Sequence, residues 1–271
     1  MNALYIVTTY VVLDDSLKAI GYQDDVRAQV TTAEILTVAV LAARFFQNHH
    51  ERALWVLQQL HAIPRLSVSR FNRRLHKAQS LFEEVVRFVS QQVARPWLCC
   101  VDTLPLPVCQ RVRLERCSKA QGKGHLGWCA AKREWFFGWR LHWVCDLRGV
   151  PLAFEVLPAS WHELTLLQDL LVELPPHTMV LGDKAYLSKI QQQLAWQTGE
   201  IYLLTPHQSH MPPLLPEEHA LLASHRHTIE TAHSRLEKMG VQRLHAPTRT
   251  GFLLKLFASL FALTIQALTS N

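Results

Sequence analysis

Apolar residues recur at helical spacing through about residue 95 and then change to short runs and alternations, so the chain predicts two textures. The first stretch shows no strand alternation and has Gly21 as its sole glycine. Thr31 and Glu34 stand at capping-box spacing ahead of the apolar run Ile35 to Phe46, which predicts a helix start. After Pro64 a new helix is expected from the segment Arg65 to Ser69. On it Phe71, Leu75, Ala78, Phe82 and Val86 make one buried stripe. Arg70, Arg74 and Lys77 fall on a neighbouring stripe, with Arg73 close by. A short turn followed by a serine-capped basic helix is what a helix-turn-helix reader of DNA needs; a basic surface helix in a bundle would give the same pattern.

Around Pro96 the pattern shortens. Trp97 to Asp102 reads as a buried strand ending in an acid, and Thr103 to Glu134 as a long, basic, pattern-poor connection. Trp135 to Asp146 resumes as strand, with Trp139, Leu141 and Trp143 alternating against Arg140 and His142. A turn over Leu147 to Val150 and a strand from Pro151 to Leu157 complete a hairpin. A helix over Leu164 to Leu174, a strand over Met179 to Asp183, a helix over Lys189 to Gln197 and a strand over Ile201 to Leu204 follow. A loop with Pro206, Pro212, Pro213 and Pro216 precedes a helix from about Ser224 to Met239, which Gly240 should stop. The expectation is a helical region over residues 1–95 and, over 96–271, an α/β domain with a mixed sheet and helices on its faces.

Composition narrows this. A hydrophobic fraction of 49% is enough for a core and excludes disorder. The net charge of +6 is concentrated: five basic residues and no acid lie between Arg65 and Lys77. Seven basic residues and one acid lie between Arg111 and Arg133; six, with two acids and four histidines, lie between His225 and Lys255. Clustered charge of this kind attracts a polyanion. Six cysteines with no CxxC pair read as reduced thiols, Cys99 and Cys100 as packing residues. Phe252 to Leu268 has a length at the short limit for a membrane span but contains Lys255 and Gln266, and a helix buried against the α/β domain is the expectation.

Two of the expected strands run into aspartates, Asp102 and Asp183. Acids at strand ends project from the carboxyl edge of a sheet, where α/β folds place their sites. A third acid, Glu230, lies on the helix after the proline loop, where Ile229, Ala232, Leu236 and Met239 form the buried stripe and Arg226, Glu230 and His233 the adjoining polar face. Three converging carboxylates repel one another unless hard cations sit between them. His162 and Glu163 fall short of a zinc-protease motif because residue 166 is Leu, which leaves a helix-start role or one beside the metals. Trp135, Trp139 and Trp143 read as core or interface, and Asp146 and Glu155 as turn and surface acids.

The chain resembles the DDE-type transposases of bacterial insertion sequences. The resemblance is carried in order by Val101 to Cys109, Gly127-Trp128, Trp135 to His142, Gly182 to Tyr186, and Arg226 to Thr231 with Arg235-Leu236. It implies a ribonuclease-H-like catalytic domain preceded by an all-helical DNA-binding region, with Asp102, Asp183 and Glu230 as catalytic residues holding two Mg²⁺ or Mn²⁺ ions. It further implies that water first frees a 3′-OH at the transposon end and that this hydroxyl then attacks target DNA. The implied partners are double-stranded DNA, both transposon ends with inverted repeats and target, and further copies of the chain in a homodimer or higher oligomer. The implied location is the bacterial cytoplasm, at the nucleoid. Expected phosphate contacts are Arg70, Arg73, Arg74, Lys77, Lys119, Lys123, Lys132, Arg133, Arg140, Lys184, Arg226, Arg235, Lys238, Arg243 and Arg249. The chain departs from the Tyr-Arg-Glu-Lys signature of related transposases. Ala223 and Glu237 stand at the tyrosine and lysine positions, with Lys238 one step late, and Ala185 replaces a common glycine. A metal-dependent nuclease or resolvase without the joining step, and a non-enzymatic DNA-binding relic, are the alternatives.

Overall fold

The structure, a computed structural model, describes residues 3–109, 117 and 119–270, with Arg226 by its backbone alone. Arg111, Arg113 and Arg116 of the second basic stretch lie outside the described residues, as does the Arg226 side chain. The chain divides into two compact units, residues 1–93 with 235–271, and residues 94–234.

The first unit contains α1 (Ala3–Ala19), α2 (Thr32–Phe46), α3 (His50–Gln59), α4 (Val68–Lys77) and α5 (Gln79–Val93). The capping box forms as expected: Thr31 accepts from Glu34 N, and Glu34 Oε2 accepts from Thr31 N at 2.5 Å. Ser67 caps α4, but eight residues, Leu60 to Ser67, separate it from α3, more than a tight helix-turn-helix joint. The stripe from Phe71 to Val86 is buried as expected, although it spans two helices because the chain turns at Ala78. A helix from Arg249 to Thr269 (α9, after α8 below) is the core of this unit and packs on α1, α2 and α5. The expectation that residues 252–268 lie on the α/β domain is therefore corrected. Its inner side is tied by Tyr5 Oη donating to Ala262 O at 3.0 Å and by the ring pair Phe82–Phe261. Its length and apolarity would suffice for a membrane span, but 72% of the apolar window is buried inside the fold, as in the core helix of a globular unit.

Among the described residues the second unit holds a six-stranded mixed sheet: β1 (Leu98–Cys109), β2 (Leu126–Cys129), β3 (Glu134–Asp146), β4 (Pro151–Pro158), β5 (Met179–Leu181) and β6 (Tyr202–Leu204). β2, β1 and β4 pair antiparallel to β3, with β2 and β4 on the same side of it, while β5 joins β1 in parallel and β6 joins β5 in parallel. Helices α6 (Leu167–Leu171), α7 (Lys189–Gly199) and α8 (Pro216–Lys238) complete the order. α6 is shorter than the periodicity suggested, being preceded by a 3₁₀ turn over Glu163–Leu166, and α8 begins at Pro216 rather than near Ser224.

The first strand corrects the sequence reading. It does not end at Asp102 but runs on through Pro105 and Pro107 to Cys109. Proline lacks an N–H, so it breaks a strand bonded on both sides. Here β5 pairs with β1 only through Cys100, so beyond that point the prolines need a partner on the β3 side alone. The expected alternation along β3 also fails: Arg140 and His142 are buried along with Trp143, because both faces of this central strand are covered.

Candidate active site

The parallel pairing sets the site. Cys100 stands opposite Leu181 at the last rung between β1 and β5, which ends there rather than at Asp183, so Asp102 on β1 and Asp183 just beyond β5, each two residues further on, come level. Gly182 makes the approach possible: a Cβ there would stand 3.0 Å from Tyr186 Cβ and 3.2 Å from Val101 Cγ1. Asp183 Oδ1 accepts from Ala185 N at 2.9 Å, fixing the turn that follows, and Asp102 Oδ1 accepts from Thr103 N at 2.7 Å. Burial, the Asp183 charge and the Glu163 charge push Asp102 from the ordinary 3.8 to about 7, although the Thr103 N–H and Arg140 pull it down. Burial also raises Asp183. These groups are hard oxygen donors whose crowded negative charge the surrounding side chains do not fully offset, which is the donor chemistry that Mg²⁺ and Mn²⁺ take.

Glu230 does not close the triad. Its Oε2 lies 2.8 Å from His227 Nδ1 on an exposed turn of α8, and among the described residues no three His, Cys, Asp or Glu side chains gather closely enough to hold a metal. The stripe on α8 is placed as expected, with Ala232, Leu236 and Met239 buried and Ile229 half-buried. Asp102 and Asp183 open on a cleft of about 1470 Å³, bounded by Lys184, the loop Pro206 to Pro216, and His219 and His227 of α8. The loop and His219 carry no sequence motif, whereas His227 lies within the Arg226 to Thr231 stretch, and only the fold brings them to the acids.

Two groups stand beside Asp102: Glu163, which the sequence allowed a role beside the metals, and His233, read there only as part of the polar face of α8. Glu163 is held by Arg140, Nη1 to Oε1 at 2.9 Å. His233 Nδ1 lies 3.8 Å from Asp102 Oδ2, while its Nε2 accepts from Trp143 Nε1 at 3.1 Å. His162 does start a helix, accepting from Leu164 N. Asp146 has the expected turn role, accepting from Arg148 N and Val150 N, but it is buried rather than on the surface. Glu155, half-buried, stands opposite His142 in the hairpin. Trp139 and Trp143 are core, and Trp135 is exposed.

The expected phosphate contacts divide. Arg140 is buried and bonded to Thr103 Oγ1, Glu163 and Trp128 O, so it serves the fold and not the phosphate backbone. Arg74 is likewise committed, to Val30 O and Asp24. Lys119 donates to Val108 O at 2.9 Å. Lys123, Lys132, Arg133 and Lys184 are exposed in the sheet unit. Lys238, Arg243 and Arg249 are exposed and Arg235 half-buried in the helical unit. Within that unit Arg70, Arg73 and Lys77 join Arg65 of the same basic stretch and Arg27, which sequence reasoning missed, around a cleft of about 580 Å³.

A mixed sheet with one aspartate on β1 and a second just beyond the parallel β5 offers a carboxylate site suited to phosphoryl chemistry. The chain matches the family described as Transposase DDE domain over residues 94–265, more than half its length, and belongs to that family. Membership brings transposase-type function, a DNA substrate and the general use of divalent metal ions. No curated protein and no solved structure matches the chain.

Proposed function

We propose that this chain cleaves the ends of a mobile DNA element and joins the freed 3′-OH to target DNA, using Asp102, Asp183 and Glu230. The observation that carries this reading is the level placement of Asp102 and Asp183 on β1 and beyond β5, at the floor of an open cleft, within the family-matched region. The sheet order supports a ribonuclease-H-like catalytic domain: three antiparallel strands, β4, β3 and β1, continue into parallel β5 and β6. Asp102 and Asp183 would hold two divalent cations, and Glu230 would join them when DNA enters the cleft and α8 adjusts, since catalytic contacts tighten on substrate. When bound, the cations supply Lewis-acid polarisation of the scissile phosphate. The chain's own part is to hold the DNA: Lys184 stands at the cleft wall for phosphate, and the helical region 1–95 offers Arg27, Arg65, Arg70, Arg73 and Lys77 to the backbone of the element's ends. Two ends brought together call for two or more copies of the chain.

The test uses full-length protein and duplexes carrying the ends that flank its gene, with Mg²⁺ or Mn²⁺. Asp102→Asn, Asp183→Asn and Glu230→Gln should each bind the duplex as the parent does, yet neither nick it nor transfer a labelled 3′-OH. Cleavage surviving in any of the three removes that residue from the triad.

A further inference from the structure

Asp102 has a different neighbour for each of its oxygens. Oδ1 accepts the Thr103 N–H at 2.7 Å, and Oδ2 faces His233 Nδ1 at 3.8 Å, just beyond hydrogen-bond length. The histidine is itself held. Trp143 stands opposite Asp102 in the β1–β3 register, its side chain fully buried, and its indole N–H donates to His233 Nε2 at 3.1 Å. The two rings lie nearly parallel, 23° apart with centroids separated by 5.7 Å. An indole nitrogen only donates, so His233 Nε2 must be the bare, accepting nitrogen, and in the neutral ring the proton resides on Nδ1. That nitrogen is the one nearer the Asp102 carboxylate, 3.8 Å from Oδ2. A residue needed only to fill this space would be apolar, whereas here both ring nitrogens have a distinct polar neighbour.

We infer that His233 is a positioning residue for Asp102, its tautomer fixed by Trp143, and that this pair sets α8 against β1 and β3. Trp143 and His233 orient the Asp102 carboxylate as outer-shell donors orient the acids of metal sites, leaving its other lone pairs for a cation. Because His233 lies one turn after Glu230 on α8, the same contact sets the resting position from which Glu230 must move in. The inference rests on Asp102 being a metal-holding carboxylate, as proposed above.

The experiment measures Mn²⁺ binding to the full-length protein by electron paramagnetic resonance, and end cleavage on the same preparations. His233→Phe keeps the ring and the stack but removes both nitrogens; Trp143→Phe removes the donor alone; His233→Asn returns an N–H near the Nδ1 position. Expected for His233→Phe are unchanged duplex binding, Mn²⁺ affinity lower by about tenfold or more, and a lower kcat with KM for DNA unchanged. Trp143→Phe should move both readouts in the same direction, and His233→Asn should recover part of both. Parental Mn²⁺ affinity and turnover in His233→Phe would overturn the inference while leaving the triad intact. Should that variant not fold, Trp143→Phe decides by the same two readouts. If Asp102→Asn also keeps parental Mn²⁺ binding and cleavage, the reading of Asp102 fails, and the inference with it.

Discussion

Arg140 Nη1 lies 2.9 Å from Glu163 Oε1, and the same nitrogen donates to Thr103 Oγ1, the residue after Asp102. The guanidinium also reaches Trp128 O and sits 5.6 Å from the Phe136 ring centre. One buried cation thus ties β1, β2, β3 and the turn before α6 together, and balances an acid whose charge bears on Asp102 and Asp183. Removing one partner of a buried pair leaves an uncompensated charge, whereas removing both does not. Arg140→Met should therefore cost about 3–5 kcal/mol in chemical denaturation, and adding Glu163→Leu should restore a large part of it. A double variant no more stable than the single one would show that the bonds to Thr103 and Trp128 matter more than the charge pair.

The second prediction concerns pH. Burial raises Asp102 from 3.8 to about 7, so between those values the folded state keeps a proton that the unfolded chain releases. Stability from this group is complete below pH 4 and is lost as pH rises through 7. In chelator, Asp102→Asn should gain on the parent protein in thermal melts across that window and hold a constant lead above it. Adding Mg²⁺ above pH 7 should raise the parent's Tm and not the variant's, because a cation that binds only the folded state stabilises it. Parallel melting curves at every pH would contradict the burial of this carboxyl.

Basic residues on α4 should separate by experiment into two kinds. Arg70, Arg73 and Lys77 are exposed around the helical unit's cleft, so changing any one of them to Gln should weaken duplex binding. Each such change should also reduce the slope of log affinity against log salt by about 0.9, the share of one neutralised phosphate. Arg74 instead donates to Val30 O and Asp24, so Arg74→Gln should lower Tm. A salt titration of binding, with a melt of each variant, checks both halves.

Gly138 stands opposite Pro107, and a Cβ on it would lie 2.2 Å from Leu106 O and 3.0 Å from Val108 N. Both obstacles are backbone, so no side chain can swing aside. Gly138→Ala should cost about 2 kcal/mol or more and loosen the outer half of β1, seen as a lower Tm and faster amide exchange at Leu104, Leu106 and Val108.

Much of the second unit was legible because its signals are local. Leu98 to Val101 and Met179 to Leu181 are apolar runs that admit little but buried strand, and the acids after them follow in the chain. The capping box at Thr31 and the stripe from Phe71 to Val86 were equally local. The third acid was picked from the polar face of its helix and matched by the resemblance, but its distance from the others was legible in neither.

What the sequence by itself determined is thus the run of most elements, though not β2 or the outer half of β1, the two acids Asp102 and Asp183 that follow apolar runs, and the basic character of α4. Each follows from periodicity or chemistry within about a dozen neighbouring residues. Tertiary structure alone decided the rest. The parallel register that brings Asp102 level with Asp183 depends on pairing across about eighty positions, which no local pattern encodes. Burial of Arg140 and His142 follows from covering both faces of β3, and Arg74 turns inward because Asp24 and Val30 happen to meet it there. The apolar face of α9 said only that it must be covered; the hydrophobic effect does not name its partner, and packing gave it to α1, α2 and α5.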